Sequence, residues 1–239
     1  MKIKLTIAAF LAGSCVSNAA LTSQLGILDL TANGGINPAT SAAWQAGDTY
    51  RLVFVSSEFV PAVTSTDIST YNGYVQGWAD TAGLGSVTWN AIGSTATVDA
   101  RDNTGTNPSS TGEAIFIMDG ETAIADNYAD LWDGTIASNI EFDENGAAHR
   151  TDTAWGAFGA TYTGTDTDGT GVSGLQLGSG GTVRMGLASE SDANWIDRSN
   201  DDRSNLLMYG MSDELTVIPE PSAALLGGLG LLALLRRRR

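Results

Sequence analysis

Carboxylates are the side chains in this sequence with the widest chemical reach. Asp166-Thr167-Asp168-Gly169 sets two acids at alternating positions ahead of a glycine, the order in which a loop starts to wrap oxygen ligands around Ca2+. Asp166 and Asp168 are therefore candidate metal ligands, and no cofactor beyond Ca2+ at this loop is implied. Further EF-hand acids are missing and Leu177 holds the place of the closing glutamate, so the competing reading is a plain acidic turn. Asp197 with Asp201 and Asp202 is a second acidic cluster, open to the same two readings because loop aspartates commonly serve turns. Glycoside hydrolysis needs two carboxylates facing across a cleft at about 5 to 9.5 Å, and the adjacency of Asp143 and Glu144 does not supply that by itself. His149 is the single histidine, so a histidine metal site or a Ser/His/Asp triad would depend on it alone; beside Arg150 in a polar stretch it reads as a loop residue. Gly178-Ser179-Gly180-Gly181 has the glycines of a phosphate cradle without its lysine or a following helix, and reads as a turn. No catalytic residue is assigned.

A flat aromatic face suits the C–H side of a sugar ring, but large aromatics are also core material. Trp44, Trp78, Trp89, Trp132 and Trp195 are read mainly as core. Trp155, in the Gly- and Thr-rich stretch 151–163, is the first choice for a ligand platform.

These residues need a scaffold, and the pattern points to many short strands. Arg51-Leu52-Val53-Phe54-Val55 follows a turn signal at Ala46-Gly47-Asp48, and Ala114-Ile115-Phe116-Ile117-Met118 precedes Asp119-Gly120; both read as buried strands. Ile68, Tyr71, Val75 and Trp78 recur at helical spacing, so residues 67–80 read as a helix weakened by Gly73 and Gly77. Residues 182–187, 206–210 and 215–218 are brief and rich in strand-forming types. The expectation is one α+β domain over residues 20–218, with mostly antiparallel strands.

That domain carries 26 acids against six arginines, a net charge of −20, which repels phosphate backbones and excludes nucleic acid as a partner. The ends differ in kind. Lys2 and Lys4, the apolar run 5–11 and Ser17-Asn18-Ala19 form a signal peptide over residues 1–19, cut by signal peptidase after Ala19. A competing reading is lipoprotein processing at Cys15, with Ala12 standing where a larger aliphatic residue is usual. If cleavage follows Ala19, the one cysteine leaves with the signal peptide. At the other end Pro219-Glu220-Pro221 breaks the chain ahead of an uncharged apolar stretch, 222–235, and Arg236, Arg237, Arg238 and Arg239. The positive-inside rule holds those arginines in the cytoplasm as an anchor and leaves the acidic bulk outside the inner membrane. Fourteen helical residues span about 21 Å, short for a bilayer core, which describes a weak and transient transmembrane anchor.

The triplet, apolar stretch and basic cluster in this order resemble the PEP-CTERM sorting signal. That resemblance implies recognition by an exosortase-type enzyme, removal of the tail 219–239 near Pro219-Glu220-Pro221, and release or attachment at the surface of a bacterium that makes exopolysaccharide. A second resemblance runs over about residues 50–217: the blocks 88–101, 117–134, 140–146 with 162–165, and Asn194-Trp195-Ile196 before Leu207-Met208-Tyr209 are similar to an uncharacterised extracellular family of the C-type-lectin-like superfamily. It implies a single compact α+β fold with small antiparallel sheets, helices and long loops. The family's usual cysteines and its Glu-Pro-Asn or Gln-Pro-Asp sugar motif are not in this sequence. The functional expectation is a non-enzymatic surface or matrix module binding exopolysaccharide or a surface partner; the alternatives are a structural matrix protein and a secreted glycoside hydrolase.

Overall fold

In the computed structural model, which describes residues 20–60, 63–148, 159–201 and 206–220, the regular elements run in this order. β1 (Leu21–Ser23), β2 (Ile36–Asn37), β3 (Ala42–Ala43) and β4 (Thr49–Val55) precede helix α1 (Ile68–Thr81). β5 (Trp89–Ala91), α2 (Ala100–Asn103), β6 (Ala114–Ile117), β7 (Ala123–Ala125) and α3 (Tyr128–Leu131) follow. β8 (Ala160–Tyr162), β9 (Val183–Leu187), β10 (Ser199–Asp201), β11 (Tyr209–Ser212) and β12 (Leu215–Pro219) complete the series. Residues 21–218 form one unit. Outside it, the Glu220 N–H donates to the Ala20 carbonyl at 2.7 Å.

The expected strand at 51–55 is the middle of a seven-stranded sheet. On one side β4 pairs with β6 in parallel, Tyr50 opposite Ala114 and Val53 opposite Ile117, with β7 antiparallel beyond. On the other side β11 and β12 pair with it end to end, Met211 opposite Val53 and Leu215 opposite Tyr50. Between those rungs Ser212, Asp213 and Glu214 face only Arg51 and Leu52, a one-residue bulge. β5 and β1 lie outside β11 and β12, while β10-β9-β8 and β2-β3 form two small antiparallel sheets. The fold is thus mixed α+β and mostly antiparallel, although its main sheet is larger than the small sheets expected. A parallel pair needs a long crossover, and here α1, β5 and α2 supply it between β4 and β6.

Alternation along β4 divides the core. Tyr50, Leu52 and Phe54 face α1 and Trp89, whereas Val53 and Val55 face Ile115, Ile117, Trp132, Trp195 and Tyr209. Each fully buried apolar side chain of this size contributes roughly 1.5–3 kcal/mol. The helix expected over 67–80 is present: Asp67 caps it by accepting the Ser69 N–H at 2.9 Å, Tyr71 and Val75 are buried, and Gly73 and Gly77 face open space. Trp44, Trp89, Trp132 and Trp195 are core, and Trp78 is half-buried. The strand expected at 206–210 begins only at Tyr209, because the Met208 N–H is taken at 3.0 Å by the Ser56 hydroxyl and not by a neighbouring strand. Among the described residues no helix is long and apolar enough to cross a membrane. The signal peptide 1–19 and the stretch 222–235 lie outside the described residues.

Candidate functional site

Arg51 is a charge in the middle of a buried strand, 7% exposed, and the surrounding elements are arranged to satisfy it. The parallel register sets Glu113, the residue ahead of β6, beside the start of β4. The bulge carries Glu214 in from the opposite side, and α3 begins with Tyr128 because the Asn127 side chain caps its Ala129 and Asp130 N–H groups at 3.0 and 3.1 Å. Arg51 Nε donates to the Tyr128 hydroxyl oxygen at 2.9 Å and to Glu113 Oε2 at 3.3 Å. Its Nη1 donates to the carbonyls of Thr104 at 3.0 Å and Ser212 at 2.9 Å. The guanidinium carbon lies 5.4 Å from the centre of the Tyr128 ring, within cation–π reach. The Tyr128 hydroxyl in turn donates to Glu113 Oε2.

Glu113 and Glu214 also share a hydrogen bond, so the two carboxyls titrate as a pair. Burial works against ionisation of Glu113, but the hydrogen bonds from Tyr128, its own backbone and Glu214, with the charge of Arg51, outweigh it and hold this carboxyl below its ordinary range. Glu214 is displaced upward, first by its hydrogen bond to Glu113, then by burial and by the charge of Glu113. Burial and the Glu113 hydrogen bond push Tyr128 up to about 12.

Glu113 is also the wall of a surface groove. One lobe, about 310 Å3, is lined by Asn37, Ala39, Thr40, Gly47, Asp48, Thr49, Thr111, Gly112 and Glu113. A second, about 360 Å3, is lined by Pro108, Ser109, Ser110, Asn127 and Ala129 and shares Ala39, Thr111 and Gly112 with the first. The shared residues make the two lobes one groove. Gly112 lets the backbone at the seam lie directly against the Tyr128 ring, since a Cβ there would sit 2.2 Å from it. Hydroxyls, two amides and carboxylates dominate the lining, with small apolar surfaces from Ala39, Pro108 and Ala129.

The residues singled out in the sequence lie elsewhere. Asp166 and Asp168 occupy a turn closed by the Thr165–Gly171 bridge. Asp166 Oδ1 accepts the Thr167 N–H at 2.7 Å, and Asp168 Oδ1 accepts the N–H and hydroxyl of Thr170 at 2.9 and 2.6 Å. Burial opposes ionisation of Asp168, but the Thr170 bonds and the charge of Arg101 hold it below its ordinary range. Asp197 comes from the other acidic cluster and meets Asp166 in space, where it pairs with Arg184 Nε. Burial and the nearby Asp166 push Asp197 up, with Arg184 opposing. The positive charges beside these acids are therefore guanidinium groups of the chain itself, Arg184 at Asp197 and Arg101 at Asp168. Among the described residues no group of three or more His, Cys, Asp or Glu side chains is gathered to hold a metal.

Asp143 and Glu144 are buried: Asp143 Oδ1 caps its own turn through the Asn145 and Ala147 N–H groups, and Glu144 accepts the Ser57 N–H at 2.9 Å. Residues 178–181 form a bend, with Gly178 and Gly180 at φ +79°. Trp155, His149, Asp202, Pro221 and the four terminal arginines Arg236, Arg237, Arg238 and Arg239 lie outside the described residues. Pro219 closes β12, and Glu220 follows it.

Sequence reasoning missed Arg51, Glu113, Tyr128 and Glu214. One local signal existed, a lone arginine at the head of an apolar strand, since a buried charge demands a partner.

Residues 217–239 match the PEP-CTERM protein-sorting motif, so the match takes in Pro219-Glu220-Pro221, the apolar stretch and the arginines together. This motif is associated with processing by an exosortase-type enzyme, and it supports an exported protein, sorted at its C-terminus, with a surface or extracellular location. No curated protein matches the chain.

Proposed function

We propose that the protein is a non-enzymatic surface or matrix module whose groove between Asn37 and Asn127 contacts exopolysaccharide, and whose tail is held transiently in the inner membrane until it is removed. The observation that carries the binding reading is the groove itself: two adjoining polar lobes, dense in hydroxyl, amide and carboxylate groups, with small apolar patches between them. That mixture suits a polyol chain, which offers hydroxyls along its edges and C–H faces between them. The non-enzymatic reading draws support from the acid pair nearest the groove. Glu113 and Glu214 are hydrogen-bonded to each other, whereas carboxyls that cut a glycosidic bond stand at least about 5 Å apart to admit the sugar or a water. Glu113 is further committed to Arg51 and Tyr128. A C-type-lectin-like scaffold stays part of the proposal, supported by an α+β core carrying long loops.

Two measurements test it. Mass spectrometry of the protein from medium and envelope should find a polypeptide starting at Ala20 and ending near Pro219-Glu220-Pro221; an intact Met1-to-Arg239 chain in the cytosol would refute the sorting route. A glycan array, run with and without a chelator, should show binding. Loss of binding with chelator would assign Ca2+ at Asp166 and Asp168 a role, and an array without any bound glycan would leave the structural-matrix alternative.

A further inference from the structure

The charge lining the groove restricts what it can hold. Neither lobe is lined by a Lys, Arg or His side chain. The first lobe presents the carboxylates of Asp48 and Glu113, and the second presents the uncharged Ser109, Ser110 and Asn127. Arg51 compensates the charge of Glu113 but, buried and with Nε and Nη1 spent on Glu113, Tyr128, Thr104 and Ser212, it lines neither lobe, so the carboxylate that faces the groove without a bonded cation is Asp48. Asp48 Oδ2 is occupied by the Gln45 N–H at 2.9 Å and the Asn37 amide at 3.3 Å, while Oδ1 accepts no hydrogen bond from the described residues. A free carboxylate oxygen is a strong acceptor for a neutral hydroxyl, since the bond is charge-assisted. The same oxygen repels a uronate, sulfate or phosphate, and the net charge of −20 over residues 20–218 adds a repulsive field at longer range.

We infer that the groove takes an uncharged glycan chain lying across both lobes and rejects acidic polysaccharides. The inference rests on the glycan reading above and adds the substrate class. A continuous chain is supported by the seam, where only the short residues Ala39, Thr111 and Gly112 line both lobes. Thr111, exposed and common to both lobes, is the position where one charge would change the preference.

The test uses the mature protein from culture, titrated by calorimetry with a panel of neutral gluco-, galacto- and manno-oligosaccharides and with oligogalacturonates of matched length. Wild type should bind at least one neutral oligomer at least tenfold more tightly than the matching uronate, and the gap should widen as salt is lowered. Thr111→Lys, with an unchanged melting curve, should reduce or reverse the gap, whereas Thr81→Lys on the exposed side of α1 should leave it as in wild type. Uronates bound as tightly as neutral oligomers by wild type would overturn the selectivity while leaving a glycan groove standing. An equal response to both lysine variants would overturn it as well, by assigning the discrimination to overall charge. Failure of every oligomer to bind would overturn the glycan reading itself.

Discussion

Replacing Arg51 with methionine keeps an unbranched apolar stem on β4 and removes only the charge and its donors. Glu113 then faces Glu214 without a counter-cation, and breaking a buried ion pair from one side costs about 3–5 kcal/mol. The carbonyls of Thr104 and Ser212 also lose donors at 3.0 and 2.9 Å, at about 1 kcal/mol each. Relief of guanidinium desolvation offsets part of this, so a net loss of about 4 kcal/mol is expected, or about 8–16 °C in Tm for a unit of roughly 200 residues. Most of that loss is the stranded carboxylate, so adding Glu113→Gln should restore about 2 kcal/mol, read as a coupling energy from urea unfolding of the four proteins in the cycle. The pH dependence has a definite sign. Glu113 in the folded protein lies below its ordinary value of 4.5, so its contribution is present above that value and is lost as pH falls through the folded one. The gap between wild type and Arg51→Met should therefore be full at pH 7 and narrow below about pH 4.5. A loss under about 1 kcal/mol, or no recovery in the double variant, would refute the argument that an uncompensated charge is what Arg51 prevents.

Glu214 has the opposite linkage: its raised folded value contributes stability at low pH that is lost as pH rises through that value. Glu214→Gln, uncharged throughout, should melt higher than wild type at pH 7 and converge with it near pH 4, as followed by thermal scans. Gly186→Ala would put a Cβ 2.0 Å from the Trp195 carbonyl oxygen and 2.6 Å from its carbon; because backbone cannot step aside, stability should fall by about 3 kcal/mol or more. Gly77→Ala is its control, since no atom lies within 4 Å of the new methyl on the open face of α1, and it should gain about 0.5–1 kcal/mol. Asp67→Ala removes the cap on the Ser69 N–H and should cost about 1 kcal/mol in urea unfolding.

The parts of the fold legible in the sequence are those where one side chain's environment follows from its neighbours in the chain. The runs at 51–55 and 114–118 lie inside strands or reach one residue past them, because an apolar run bounded by turn residues has few other places to go. The stripe Tyr71-Val75 marks a helix because its buried positions recur at helical spacing, while Gly73 and Gly77 fall on the open face. Residues 206–208 show where that logic stops. They are as apolar as a strand and fully buried, yet only Leu207 bridges to β8, through the Ala160 carbonyl and the Tyr162 N–H at 2.9 Å each, and the Met208 N–H goes to the Ser56 hydroxyl. No local pattern announces a hydroxyl that arrives from 152 residues away.

The groove lies further still beyond local reading, because each of its segments is an ordinary turn by itself. Asn37, Asp48, Thr111 and Asn127 carry no chemistry until the β4–β6 register and the α3 cap bring them together. Arg51 was the exception that could have been followed: a charge in an apolar strand states that a partner exists. It does not say which of 26 acids in the domain is that partner. Naming Glu113 requires knowing that β6 runs parallel to β4, and naming Glu214 requires the extra residue between Met211 and Leu215. Both are facts of strand pairing, and pairing is settled by the summed burial of both sheet faces. Of the acidic motifs that were conspicuous in the sequence, Asp166 meets Asp197, which pairs with Arg184, while Asp168 lies near Arg101. Conspicuous acid spacing here marks where a turn needs acceptors, whereas the carboxylates shaping the groove are those whose sequence surroundings look plain.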